Sequence, residues 1–366
     1  MKVVVDGLIL DQEASGIGQY VRELMAAYTH QFPEDQVTMW LRPGIEIPGV
    51  ASHRARDLRT SRQRLWFEQG VLPGLIVREG YDVVHFPDYQ VPLVRTLPRV
   101  VMTVHDLAAF VIPEVFPRSK AQAKRMLMRK SVKRAHHIIV PSQSTKDDLV
   151  EILEVDPNRI TVIWHGVKRR GKAPEGRAYP RPYFLAVGTV EPRKNFAGLI
   201  RAFHRLYERR KDIPDLLIAG RLGWMYDDTL ALPEKLGVAE KVKFLQYVSE
   251  DTLAGLYRDT VALVYPSFYE GFGLPVIEAM WDGVPVVTSE QGALAEVGQD
   301  AVWVVDPREP ASIAEAMEAV LDGGPEVRTR TERSRTWARQ LTWQRAAALT
   351  REVYQQVSQG GEYGAQ

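Results

Sequence analysis

Two carboxylates, Glu270 and Glu278, are separated by seven residues in Ser267–Met280 (SFYEGFGLPVIEAM), with a Gly-Phe-Gly turn and a proline between them. The apolar run Val261–Tyr265 before them has strand character, and Pro275 suits the first turn of a helix, where a missing N–H costs nothing. The local order is therefore strand, acidic loop, glycine turn, helix. Gly271 and Gly273 let a backbone approach a ligand, and a helix N-terminus there favours phosphate. Glu278 is expected in the first helical turn and Glu270 at the mouth of the loop. Carboxylates repel phosphate, so the pair reads as acceptors of sugar or ribose hydroxyls. A solvated acidic loop would carry the same residues.

Gly188–Asn195 (GTVEPRKN) supplies what the acidic loop lacks. Arg193 offers a forked contact and Lys194 a compact charge after a strand, an arrangement suited to a diphosphate. An isolated Arg-Lys pair is more often a solvated turn, but this one falls at a strand's carboxyl end in the same half as the two glutamates. His105, after the apolar Val100–Val104, is a candidate hydrogen-bonding or proton-transfer group, with a structural pair to Asp106 as the competing reading. Gly16 and Gly18 mark a loop ahead of a helix expected from about Gln19, without a full dinucleotide fingerprint. Neither an Asp-x-Asp pair nor a His-x-x-x-His spacing occurs, so no metal site and no cofactor are expected. The absence of Gly-x-Ser-x-Gly gives no support to a hydrolase elbow.

The elements that must position these residues alternate. Lys2–Val5, Val37–Leu41, Asp82–Phe86, Val100–Val104 and His136–Val140 read as strands in the first half. Tyr183–Val187, Asp215–Ala219, Val242–Phe244, 261–265, Val284–Thr288 and Ala301–Val305 follow in the second. Strands interleaved with helices make parallel sheets covered on both faces, with ligands at the strands' carboxyl ends. Lys168–Pro182 (KRRGKAPEGRAYPRP) is rich in Pro, Gly and charge and reads as a linker between halves. The expectation is an α/β protein of two doubly wound Rossmann-like domains with an interdomain cleft. The first domain spans 1–178 and the second 179–345. A C-terminal helix in 346–366 packs back on the first domain and ends in a frayed tail.

Composition narrows the class. The 366 residues hold 45% hydrophobic and 25% charged side chains, as in a soluble globular protein, and no apolar run is long enough to span a membrane. Cysteine is absent, which removes disulfides and thiolate sites. A net charge of +1 argues against a dedicated nucleic-acid partner. Residues 1–178 carry 26 basic and 20 acidic side chains, a balance of +6, and the remainder 21 and 26, a balance of −5. Arg118–Arg134 alone has eight basic residues and no acid, with Ala121, Met128, Val132 and Ala135 along one side. Such a helix can meet an anionic membrane or simply present a solvated basic face. Leu65-Trp66-Phe67, after Arg62 and Arg64, adds a basic-aromatic patch.

Taken together, these motifs resemble the large retaining glycosyltransferase family of the GT-B fold, the family of sucrose synthase, glycogen synthase and bacterial mannosyltransferases. The resemblance rests on SFYEGFGLPVIEAM and VGTVEPRKN, with HDLAAF, VPSQSTKDDL, FLQYVSEDTLAGLY and VGQDAVWVVDP in family order, and covers essentially the whole chain. It implies that Arg193 and Lys194 hold a donor diphosphate. It places Glu270 at the donor sugar, with Gly271, Phe272 and Gly273 supplying N–H groups, and Glu278 at the ribose. It further implies base contact at Val248, ribose packing at Leu253, a sugar contact from His105, and a loop near the phosphates at Gly16, Gly18 and Gly188. Thr189 stands where many members have Arg or Lys, and His165-Gly166-Val167 where Asn-Gly-Val is usual.

The activity so implied is metal-independent, retaining transfer of a sugar, mannose from GDP-mannose, to a glycan or lipid-linked acceptor. Front-face attack, with the leaving phosphate helping to deprotonate the acceptor, is implied by the same resemblance. A UDP- or ADP-sugar donor, a GT-B sugar-nucleotide epimerase and a non-catalytic nucleotide-sugar binder are the alternatives, and a retaining glycosidase would leave the Arg-Lys loop idle. A cytoplasmic chain is expected, with peripheral contact to the inner membrane face through its basic half.

Overall fold

The computed structural model describes the chain apart from residues 11–15, 56–57, 59, 94–98, 169–170, 172 and 361–366 and the side chain of Ser61. Two compact units emerge. One comprises Met1–Val111, Arg118–Gly166 and the stretch from Thr342, and the other Ile112–Pro117 and Val167–Leu341.

The first unit is built on a parallel sheet of seven described strands: β1 Lys2–Asp6, β2 Gln36–Leu41, β3 Ala51–Arg54, β4 Val83–Phe86, β5 Arg99–Thr103, β6 His137–Val140 and β7 Ile160–Val162. Their order is β3-β2-β1-β4-β5-β6-β7. The apolar runs of β1, β4 and β6 are buried along nearly their full length because helices cover both faces. The strand order reverses between β1 and β4, whose carboxyl ends are Asp6 and Phe86, the position where sheets of this kind bind ligands. On one face, helix Trp343–Ser358 lays Val353, Tyr354 and Val357 against Leu24 and Tyr28 of helix Gly16–Gln31. Burying side chains of this size contributes about 1.5–3 kcal/mol each.

The second unit repeats the plan with β8 Tyr183–Val187, β9 Asp215–Ala219, β10 Val242–Gln246, β11 Ala262–Tyr265, β12 Val286–Ser289 and β13 Trp303–Val305, in the order β10-β9-β8-β11-β12-β13. Its reversal lies between β8 and β11. Helix Phe196–Arg209 covers one face with Leu199, Phe203 and Leu206, all fully buried. From the other half of the sequence comes 112–117, where Phe116 stacks on Trp224 at 5.6 Å and the Trp224 indole donates to the Val115 carbonyl.

Several expectations are corrected. Gly16 and Gly18 open the helix Gly16–Gln31 rather than preceding a start at Gln19. Ser15 lies outside the described residues. Glu278 sits one turn inside helix Leu274–Asp282, whose first turn has no acid. The described part of 168–182, read as a linker, lies against helix Glu250–Asp259 of the second unit. Lys168 pairs with Glu250 at 2.6 Å, the Ala178 N–H donates to Asp259, and Arg258 donates to the carbonyls of Pro174 and Gly176. The helix Trp343–Ser358 begins before 346, and most of the tail read as frayed lies outside the described residues.

The basic stretch Arg118–Arg134 is one helix that buries Ala121, Met128, Ser131 and Val132. Lys124 pairs with Asp106, and Arg125 and Arg129 lie over the Phe110 ring at 5.5 and 5.1 Å. Trp66 is exposed, whereas Phe67 turns into the core.

Candidate functional site

In the second unit the site is assembled at the reversal between β8 and β11. After β8, Gly188 takes φ +146°, and the Val190 N–H donates to the Arg221 carbonyl beyond β9. Pro192–Lys194 then forms a single 3-10 turn, ending at Asn195 in the left-handed region (φ +55°). The Asn195 side chain accepts from the Gly198 N–H, capping helix Phe196–Arg209, and donates to the carbonyls of Pro266 at 3.1 Å and Pro307 at 2.6 Å. The Phe268 N–H donates to the Arg193 carbonyl at 2.9 Å. This loop is thereby tied to the loop after β11.

That tie brings opposite charges together. Lys194 Nζ donates to Glu270 Oε1 at 2.6 Å and Arg193 Nη1 to Glu270 Oε2 at 2.8 Å. Arg193 Nε also reaches Glu191 at 2.9 Å. The Tyr265 hydroxyl, at the end of β11, accepts from Lys194 at 2.5 Å and donates to Glu270 at 3.0 Å. Glu191, Lys194 and Glu270 are all buried. Burial pushes the Glu270 carboxyl up, but the charges of Arg193 and Lys194 outweigh it and hold the group below its ordinary value, ionised. Burial likewise draws Lys194 below the usual lysine range against the pull of Glu270. Burial, followed by the Glu270 charge, holds the Tyr265 hydroxyl well above its ordinary value, so it stays protonated.

Glu278 is buried further along, where it accepts from the Tyr257 hydroxyl at 3.3 Å. Gly273, at φ +100°, begins the helix carrying it. Gly271 and Phe272 are buried between the two glutamates. Val248 follows β10, two strands from β8, and Leu253 lies in helix Glu250–Asp259; both are half-buried.

Gly16, Gly18 and His105 belong to the first unit. His105 follows β5, and its Nε2 lies 2.9 Å from the Pro87 carbonyl, a contact that puts the proton on Nε2 and leaves Nδ1 an acceptor. Burial lowers its pKa, only partly opposed by that carbonyl and the charge of Asp88. The Tyr20 ring meets it edge-on at 4.8 Å. Behind Tyr20 runs a chain of hydrogen bonds through Thr103 (3.0 Å) and His85 (2.8 Å) to Tyr354 (2.6 Å).

Three groups carry no signal in the sequence. Tyr265 looked like one more apolar strand residue. Gly220 takes φ +156° after β9, where a Cβ would meet the Gly188 carbonyl oxygen at 1.8 Å. At the first unit's reversal, Asp6, Glu68 and Asp88 are buried near the half-buried Arg64, which pairs with Glu68. Burial, then the Asp6 charge, pushes the Glu68 carboxyl up to about 8. Arg64 and these acids are visible in the sequence as types, but no spacing connects 6, 68 and 88. Among the described residues, no group of three or more His, Asp and Glu side chains is placed to hold a metal ion, and no helix is long and apolar enough to cross a membrane.

Known proteins share this architecture. Residues 168–337 match the family Glycosyl transferases group 1, and residues 14–170 match Glycosyltransferase Family 4. The O-antigen chain mannosyltransferase B of Escherichia coli is 31% identical over 284 residues, covering 74% of each chain. Sucrose-phosphate synthase from Thermosynechococcus elongatus superposes with a TM-score of 0.81 over 98% of this chain and 100% of that one, at 20% identity. HepE from Anabaena, in complex with UDP-glucose, does so with a TM-score of 0.74 over 96% and 100%, at 16% identity. The chain therefore belongs to the glycosyl transferases group 1 family, the GT-B glycosyltransferases that act on nucleotide sugars.

Proposed function

We propose that the second unit binds the donor diphosphate on Arg193 and Lys194 and that the sugar is transferred with retention at its anomeric carbon. The observation carrying this reading is the tying of the Arg193–Lys194 turn to the Glu270 loop at the reversal between β8 and β11. Two cations fixed there stabilise the charge that develops on a departing diphosphate without reorganising during the reaction. Glu270 reads the donor sugar, Gly271–Gly273 offer backbone N–H groups, and Glu278 reads the ribose. Val248 and Leu253 flank the base and ribose, and Gly188 admits the phosphates. For the first unit, the family resemblance gives His105 a contact with the transferred sugar, for which Nδ1 is its open acceptor, and gives Gly16 and Gly18 a role near the phosphates. Retention by front-face attack, with the leaving phosphate taking the acceptor's proton, rests on the family resemblance.

The donor has two readings. A UDP-sugar is supported by HepE, a UDP-glucose complex aligned over nearly the whole chain. GDP-mannose is the donor expected from the sequence, and its sugar is supported by the relative named as an O-antigen chain mannosyltransferase. The UDP-sugar reading has at least equal support, so both belong in the same test. A thermal-shift and donor-hydrolysis panel of UDP-, GDP- and ADP-sugars decides between them. Lys194→Ala retaining near wild-type transfer would sink the diphosphate assignment. The acceptor is a glycan or a lipid-linked glycan. Peripheral membrane contact through Arg118–Arg134 predicts flotation with anionic but not neutral vesicles, and no flotation with either removes it.

A further inference from the structure

The site holds two cations, Arg193 and Lys194, and two carboxylates, Glu191 and Glu270, so its formal charge is 2 − 2 = 0. A diphosphate entering such a place meets no net attraction while both cations remain paired. Yet the two carboxylates are not equivalent. Glu191 touches only Arg193 in this network, whereas Glu270 spans both cations, one with each oxygen. Its oxygens thus stand where two phosphate oxygens would be bound.

We propose that Glu270 is the resident counter-ion of the Arg193–Lys194 site, that an incoming diphosphate displaces it, and that Tyr265 retains the carboxylate as the cations let go. This rests on the diphosphate reading above and adds the exchange and the role of Tyr265.

Tyr265 is placed for the handover. Its hydroxyl proton points to Glu270 Oε1 and its lone pair to Lys194 Nζ, while its ring lies 5.0 Å from the same ammonium. Once phosphate oxygens take over Lys194 and Arg193 Nη1, Glu270 Oε1 keeps the Tyr265 O–H at one fixed point. Its remaining acceptor capacity turns to a sugar hydroxyl. The carboxylate is also fixed through its backbone. The Ala293 N–H donates to the Glu270 carbonyl at 3.2 Å, and Gly292, at φ +62°, passes so close that a Cβ would lie 2.9 Å from that oxygen. The side chain can therefore change partners without the loop moving. Tyr265 is a positioning residue, acting through Glu270 and Lys194.

Calorimetric titration of the full chain with inorganic pyrophosphate, UDP and GDP tests this in wild type, Glu270→Gln, Tyr265→Phe and Lys194→Ala. Glu270→Gln is expected to bind pyrophosphate roughly five- to tenfold more tightly, with steeper salt dependence, while sugar transfer falls. Tyr265→Phe should leave pyrophosphate affinity within about twofold but lower kcat more than it raises donor KM, because its hydroxyl matters most after the exchange. Unchanged or weaker pyrophosphate binding in Glu270→Gln, with Lys194→Ala weakened, overturns the exchange and leaves the diphosphate site standing. Lys194→Ala binding as wild type does removes the site itself. Circular dichroism and Tm verify folding; should Glu270→Gln fail to fold, Glu270→Asp, too short to span both cations, is judged by the same pyrophosphate criterion. Wild-type kcat and KM in Tyr265→Phe overturn the assignment of Tyr265.

Discussion

Asp35 and Arg351 stand 316 positions apart in the chain and 2.8 Å apart in the fold. Asp35 is buried beside Tyr28, whose hydroxyl donates to the same carboxylate oxygen that Arg351 reaches. Burial pushes this carboxyl up, but the Arg351 hydrogen bond and its other donors prevail and hold it below its ordinary value. A depressed carboxyl contributes stability that is present above its unfolded value and lost as pH falls through the folded one. Arg351→Ala is expected to cost about 2–3 kcal/mol at neutral pH, less than a fully buried pair because Arg351 is partly exposed. The difference from wild type should shrink below pH 3.8, the ordinary value of the group. Urea melts across pH measure both.

Glu68 has the opposite sign. Its carboxyl is raised from 4.5 to about 8 by burial and then by Asp6, so the folded chain keeps a proton that the unfolded chain releases. Stability from this group is complete below 4.5 and declines as pH rises through about 8. Glu68→Gln mimics the protonated form and should flatten that decline, making the variant more stable than wild type at pH 9. Parallel stability–pH curves for the two proteins would refute the assignment.

Two glycines separate backbone strain from contact. Gly237 has φ +66° with nothing within 4 Å of an added Cβ, so Gly237→Ala should cost about 1 kcal/mol from conformation alone. At Gly220 the added Cβ also strikes the Gly188 carbonyl, and Gly220→Ala should cost about 3 kcal/mol or more. Displacement of Gly188 should further weaken nucleoside diphosphate binding in Gly220→Ala only, as calorimetry would register.

His105 should remain neutral through the neutral range, since burial carries its pKa below 6.5. The pH profile of transfer should show no inflection from this group above that value. Removing the imidazole in His105→Ala should lower kcat by about a hundredfold, the scale for loss of one transition-state hydrogen bond. An imidazole resonance titrating at or above 6.5 contradicts the predicted neutral state.

The sequence made some of this legible and concealed the rest for identifiable reasons. Arg118–Arg134 announced its helix through Ala121, Met128 and Val132 along one side of a basic run, and Tyr183–Val187 and Asp215–Ala219 announced strands through apolar runs bounded by turn residues. β3 did not, because Ala51–Arg54 (ASHR) lies at the sheet edge, largely exposed, and needs no apolar alternation. β7, three residues long, gives too short a pattern. The partners of the Arg-Lys turn were visible as types. That Glu270 neutralises both cations was not, because pairing across 77 positions depends on the register of β8 beside β11. Gly16 and Gly18 misled about a helix start because glycine reads as a breaker, yet both are accommodated in its first turn.

The helix Trp343–Ser358 completes the core of the first unit but is encoded after all of residues 167–341 of the second. On a ribosome adding about 5–20 residues per second, the second unit can close while the first still waits for its last helix. Until then the apolar face that receives Tyr354 lies open beside Leu24 and Tyr28. The half of the molecule made first is thus the half finished last, and the interval is its period of greatest exposure to aggregation.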